Sequence, residues 1–145
     1  MVDSTSKVMI ILSLMLILAM QLKGSDRFRI TTTKVTVEIT NRLNKKILIL
    51  HCQEKHRDLG VHVLNVGETY SFRFYPNYFL PVTLYFCRFV YLGGDHYFDI
   101  YVERRDEYCF HNRCSWEIVE DGPCEIKPSS RECFGWNVAS LPANK

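Results

Sequence analysis

The chain has 145 residues, is 47% hydrophobic and 23% charged, and carries six cysteines and a formal net charge of +2. These values suit one ordinary globular domain. The near-balanced charge gives no general electrostatic drive toward nucleic acid or a membrane surface.

In chain order, residues 1–25 read as a separable leader. Met1 to Lys7 is short and polar, and Val8 to Leu18 is apolar apart from Ser13. About 20 apolar residues are needed to span a bilayer, so this run is short for an anchor. It fits the hydrophobic region of a secretory signal peptide, with cleavage expected between Ala19 and Asp26. Removal takes Lys7, Lys23 and Asp3 and leaves the remainder close to neutral. All six cysteines stay. An even cysteine count on a secretory route points to disulfides.

Val35, Val37 and Ile39 alternate with Thr36, Glu38 and Thr40, the pattern of a half-buried strand. Asn41-Arg42-Leu43-Asn44 supplies turn chemistry. Lys46 to Gln53 is the strongest strand signal, with Leu48, Leu50 and Cys52 on one face and Ile47, Ile49 and His51 on the other. These two strands are expected to form a hairpin, and Cys52 to face a partner across the core. Val61 and Val63, then Tyr70, Phe72 and Phe74 after the Asn65–Glu68 turn, give a second hairpin candidate. Pro76 and Pro81 bracket a loop carrying Tyr78, Phe79 and Leu80, where pairing should stop. Val82 to Val90 puts Thr83, Tyr85, Cys87 and Phe89 on one face. Gly93-Gly94-Asp95 turns the chain into His96 to Val102. Glu103 to Glu107 is the densest charge run and is expected as an exposed loop. Cys114, Trp116 and Ile118 share a face of a last strand, ended by Asp121-Gly122-Pro123. Cys124 and Cys133 offer one staple in the remainder. No stretch holds a sustained helical period with caps. The pattern is all-β: a small, disulfide-stapled antiparallel β-sandwich of seven or eight short strands.

The chemical candidates are thin. His51 and Cys52 point to opposite faces of one strand, so this histidine cannot activate this cysteine. The five histidines, His51, His56, His62, His96 and His111, form no H-x-x-x-H pair, and no C-x-x-C occurs. Asp58, Asp95, Asp99, Asp106 and Glu107 are scattered over turns and a strand. No G-x-S-x-G, P-loop or Rossmann fingerprint is present. The eight Tyr, nine Phe and two Trp sit mostly at strand parity, as core does, rather than as a basic stacking platform. No Asn-x-Ser/Thr sequon is available for N-glycosylation.

One resemblance adds to this. Val37-Glu38-Ile39-Thr40-Asn41-Arg42-Leu43 is similar to the opening strand of the plant self-incompatibility S-protein family, the S-protein homologues. His51-Cys52-Gln53 with Asp58-Leu59-Gly60-Val61-His62 resembles its next block, followed by Gly67-Glu68 and Tyr70-Ser71-Phe72-Arg73-Phe74. Thr83-Leu84-Tyr85-Phe86-Cys87 resembles the central cysteine strand. Phe98-Asp99-Ile100-Tyr101, Cys109, Cys114-Ser115-Trp116-Glu117 and Asp121-Gly122 resemble the closing block. The likeness runs from Val35 to Gly122, so the domain is expected over 26–123 and a C-terminal extension over 124–145.

The resemblance implies a secreted, non-enzymatic protein without cofactor or metal. In founding members it implies a stigma-secreted signal recognised by pollen. The expected partner is a cell-surface receptor, with no nucleic acid, no membrane insertion after leader cleavage, and a monomeric mature chain. Cys52, Cys87, Cys109 and Cys114 map onto the family pattern. The favoured pairing is Cys52–Cys114 and Cys87–Cys109, because Cys52 and Cys114 each share a face with bulky apolar neighbours; four cysteines allow three connectivities and six allow fifteen. The expected receptor contact is the loop Glu103, Arg104, Arg105, Asp106, Glu107 and Tyr108, with Glu54 to Asp58 second; the same run also reads as a merely solvated loop. Two other functions stay open: a secreted hydrolase or enzyme inhibitor, and an apoplastic structural protein without a specific receptor.

Overall fold

The computed structural model describes residues 3–22, 33–77, 80, 82–107 and 109–138. It falls into two units, residues 1–31 and 32–145. The first holds helix α1, Ser4–Leu22. Its stretch 8–18 is apolar on all sides, with every large hydrophobic side chain exposed. Among the described residues no helix is long and apolar enough to cross a membrane. Residues 23–32, which hold the second half of the expected cleavage region, lie outside the described residues. So do Tyr78, Phe79, Pro81 and Tyr108, and residues 139–145.

The second unit is the all-β sandwich that the alternation predicts, with nine described strands rather than seven or eight. They are β1 Val35–Asn41, β2 Leu48–Glu54, β3 Arg57–Leu64, β4 Thr69–Phe74, β5 Leu84–Tyr91, β6 Gly94–Val102, β7 Arg113–Val119, β8 Gly122–Lys127 and β9 Ser130–Cys133. One sheet has the order β4-β1-β7-β8-β9 and the other β3-β2-β5-β6. All neighbours are antiparallel except β1 and β7, which run parallel with Val37 beside Cys114 and Ile39 beside Trp116. Period-two burial places Val35, Val37 and Ile39 inward on β1, and Cys114, Trp116 and Ile118 inward on β7. Opposite them, Leu48, Leu50 and Cys52 of β2 and Tyr85, Cys87, Phe89 and Tyr91 of β5 complete one core.

Both expected hairpins are corrected. β1 and β2 lie in different sheets, as do β3 and β4. Alternation tells a strand which face to bury, and that face is satisfied equally by a lateral neighbour's sheet or by the opposite sheet. Here Asn41 decides. It is fully buried, its Nδ2 donates to the carbonyls of Lys46 and Leu64, and its Oδ1 accepts from Leu43 N–H. The amide thus ties an arch between layers instead of a hairpin turn. The hairpins that do form are β2–β3 around Lys55-His56, β5–β6 around Leu92-Gly93, β7–β8 around Glu120-Asp121 and β8–β9 around Pro128-Ser129.

The favoured cysteine pairing is corrected too. Cys52 bonds Cys87, Cys109 bonds Cys114, and Cys124 bonds Cys133. Cys52 and Cys87 are directly opposed on neighbouring strands, Cα atoms 4.0 Å apart, so the register itself brings their sulfurs together. The bridge is lateral within one sheet and does not cross the core.

The boundary drawn at 123/124 falls inside β8. Gly122 and Pro123 open this strand instead of ending the fold. Pro123 sits at its start, where a missing N–H is tolerated. Gly122 has φ +143°, and a Cβ there would lie 2.0 Å from the Phe134 carbonyl oxygen, so only glycine fits this close approach. Beyond β9 the tail packs back: Phe134 and Trp136 join the core, and Trp136 Nε1 donates to the Glu120 carbonyl at 3.1 Å. Asn137 N–H then donates to the Tyr97 carbonyl on the free edge of β6.

Candidate partner-contact surface

The topology brings the two charged segments singled out in the sequence to one end of the sandwich. β2 finishes there at Glu54 and β6 finishes there at Val102, with β5 between them. Two strand spacings, about 10 Å, separate the two exits.

The run after β6 is a one-turn helix, α2 Glu103–Asp106, rather than a solvated loop. Its acidic residues are what fix it. Buried Glu103 accepts Thr83 N–H at 2.9 Å, and its own N–H donates to the Thr83 carbonyl. Buried Asp106 accepts Val102 N–H at 2.7 Å. Arg105 holds that carboxylate through Nε and a terminal nitrogen, 2.7 and 2.8 Å, and also reaches the Asp99 carbonyl. Its guanidinium lies 5.0–5.4 Å from the ring centres of Phe98, Trp116 and Phe134. A cation held by a buried carboxylate and lying against three rings, its side chain 27% exposed, serves the fold, so Arg105, Glu103 and Asp106 are withdrawn from the expected contact set.

Arg104 and Glu107 remain exposed and line a cleft of about 490 Å³ with Val35, Pro76, Tyr101 and Asn112. Beside it the Cys109–Cys114 bridge closes a small ring of chain. In that ring His111 and Asn112 adopt left-handed backbone, φ 51° and 59°. Phe110 is exposed there and stacks on His111 at 4.0 Å. Sequence reasoning passed over this turn. The only signal was an aromatic flanked by two closely spaced cysteines.

Glu54, Lys55 and His56 line a second depression of about 710 Å³ with Asn77, Val82, Leu84 and Phe86. Asp58 is anchored behind it: Oδ1 accepts Gly60 N–H at 2.7 Å and His51 Nε2–H at 2.6 Å. These two hydrogen bonds hold its carboxyl below the ordinary range. His51 therefore engages an exposed carboxylate, while Cys52 is buried in its bridge. Among the described residues no group of three His, Cys, Asp or Glu side chains is gathered for a metal ion.

The model of the family described as "Plant self-incompatibility protein S1" matches residues 36–136. This chain belongs to that family. S-protein homolog 2 of Arabidopsis thaliana is 41% identical over 114 residues, covering 73% of this chain and 70% of its own length. S-protein homolog 4 of the same plant is 36% identical over 139 residues, 90% of each chain. A solved structure from the self-incompatibility protein homologues superposes with a TM-score of 0.58 at 17% identity, covering 73% of this chain and 96% of that one. It is described as coming from a widespread family of small, highly stable, secreted plant proteins. In the present S-protein homologue the family match runs to Trp136, past the boundary expected at residue 123, in step with β8, β9 and the tail that packs on the core.

Proposed function

We propose that this S-protein homologue is a secreted, non-enzymatic protein ligand, that α1 is its signal peptide, and that the α2 end of the sandwich meets a cell-surface receptor. The observation that carries the reading is the division of labour in α2. Buried Glu103 and Asp106 and ring-bound Arg105 lock the turn, and so hold Arg104 and Glu107 outward over a cleft beside exposed Phe110. Partners gain most from side chains whose ordering was completed during folding. Loops on a rigid frame are where recognition resides in such scaffolds.

The test is saturable binding of the labelled, oxidised protein to plant plasma-membrane fractions. The double variant Arg104→Ala/Glu107→Ala should weaken binding at least tenfold with an unchanged unfolding midpoint. Removing the Arg88–Asp95 pair, a 2.6 Å contact on the outer face of the β3-β2-β5-β6 sheet, should leave binding intact. Equal binding by all three proteins would remove this end as the contact.

A further inference from the structure

The two outer faces of the sandwich differ in kind. The outer face of the β4-β1-β7-β8-β9 sheet carries Thr36, Glu38, Thr40, Arg73, Ser115 and Glu117, the polar surface expected of a sheet face left in water. The outer face of the β3-β2-β5-β6 sheet instead groups branched aliphatics, beside the His51–Asp58 and Arg88–Asp95 pairs that share it. Ile49 stands opposite Val63 on one side and Val90 on the other, making one continuous row. Ile47 flanks this row at 54% exposure, Val61 at 62% and Leu92, on the hairpin tip, at 84%. Branched aliphatics left in water together mark a binding surface more often than singly scattered ones do.

One end of this face is a groove of about 560 Å³, floored by Ile47, Ile49, Val90, Tyr91 and Leu92 and closed by Lys45 and Lys46. Lys46 Nζ lies 3.5 Å from Glu120 Oε1 and 5.5 Å over the Tyr91 ring. Lys45 makes no ion pair among the described residues. An apolar floor with the Lys45 ammonium and the Glu120-paired Lys46 ammonium at one end is complementary to a molecule with one anionic end and an apolar body. The volume lies within the range of small-molecule sites.

We propose that this groove binds a single-chain amphiphilic anion, its carboxylate-like head at Lys45 and Lys46 and its chain across Ile49 toward Val63. Crossing from β5 to β3 spans two strand spacings, about 10 Å, which an acyl chain of ordinary length covers. An anionic bilayer is the poorer occupant. Glu120 and Asp121 share the turn beside the lysines and would face its surface.

The test is calorimetric titration of the oxidised protein, collected from the medium of secreting cells, with dodecanoate and with dodecyltrimethylammonium, each below its micelle concentration. Dodecanoate should bind at one site and the cationic amphiphile should not. Shortening the chain through decanoate to octanoate should weaken binding about fourfold for each methylene lost. Ile49→Glu/Val63→Glu should abolish binding, and Lys45→Ala/Lys46→Ala should weaken it about tenfold. The lysine pair lies outside the core, so it tests the site even where the glutamates disturb the sheet. Equal binding of both amphiphiles, or binding indifferent to both variants, overturns the proposal. So does a dimer in light scattering that Ile49→Glu dissociates, or co-sedimentation with phosphatidylserine vesicles without dodecanoate binding.

Discussion

Asn41 and Leu64 meet inside the sandwich, where the Asn41 Nδ2–H donates to the Leu64 carbonyl at 3.0 Å. The contact joins the end of β1 in one sheet to the end of β3 in the other. The same amide binds Lys46 and Leu43, and the Asn41 backbone exchanges hydrogen bonds with Glu68 and Gly67. Asn41→Ala would leave up to three backbone groups without partners at a site closed to water. Each buried orphan costs about 1–3 kcal/mol, so a loss of about 3 kcal/mol or more is expected. Asn41→Asp should be no milder, because a carboxylate would face the two carbonyls that the amide now satisfies. Guanidinium unfolding of both variants checks this; a loss below about 1 kcal/mol for Ala would show that the arch forms without the amide.

Arg104 and Arg105 are adjacent and chemically alike but should behave oppositely. Arg105→Lys keeps the charge and loses the planar fork that holds Asp106 and lies over three rings, so it should destabilise by about 1–2 kcal/mol. Arg104→Ala should change stability by no more than about 0.5 kcal/mol, as an exposed substitution does. Thermal unfolding of the two proteins separates them. Equal midpoints would mean that the ring contacts of Arg105 contribute nothing.

Which face most strands bury was legible from alternation alone, though on β6 an irregular register buries Tyr101 where alternation puts Val102 inward. Leu48, Leu50 and Cys52 point inward and Ile49 outward, as read, and so do Cys114, Trp116 and Ile118 inward. Which strands pair was not legible, because alternation is blind to whether the covering layer lies beside or opposite. The two hairpin errors and the cysteine-pairing error share that origin. The run from Glu103 to Glu107 misled for a different reason. Its burial depends on Thr83, Trp116 and Phe134, brought from other parts of the chain, and on Val102 and Phe98 just before it, and none of these contacts is visible in a local count of charges. The apolar outer face was visible in the letters, as Ile47, Ile49, Val61 and Val63. Its meaning needed the sheet register.

The three disulfides should differ in worth by the chain they close. Cys52–Cys87 spans 35 residues, Cys124–Cys133 spans 9 and Cys109–Cys114 spans 5. In the chain-entropy model these correspond to about 4, 2.5 and 2 kcal/mol. Paired replacement by alanine should therefore rank the variants in that order by unfolding midpoint. The Cys109–Cys114 variant should also loosen Phe110 and His111, read as faster amide exchange confined to residues 109–114. A Cys109–Cys114 variant less stable than the Cys52–Cys87 one would place the staple's main effect in the folded state.

Acid should weaken the fold before neutral pH changes do. Asp58, Asp95, Glu68 and Glu120 are each held below their ordinary values of 3.8 or 4.5: Asp58 first by Gly60 N–H, Asp95 by Arg88, Glu68 by Asn65 N–H and Glu120 by Asn44 N–H. Groups depressed in the folded state bind protons first in the unfolded chain, so their stabilisation is whole above about pH 5 and fades as pH falls through the folded values. At the alkaline side burial raises the phenols of Tyr70, Tyr85 and Tyr91 above 10. The unfolded phenols then lose protons first, so this contribution is present below pH 10 and lost as pH rises beyond it. Guanidinium midpoints taken from pH 2 to 11 should show a plateau between about 5 and 9.5 with a decline on both sides. A midpoint that rises as pH drops below 4 would contradict the carboxylate assignments.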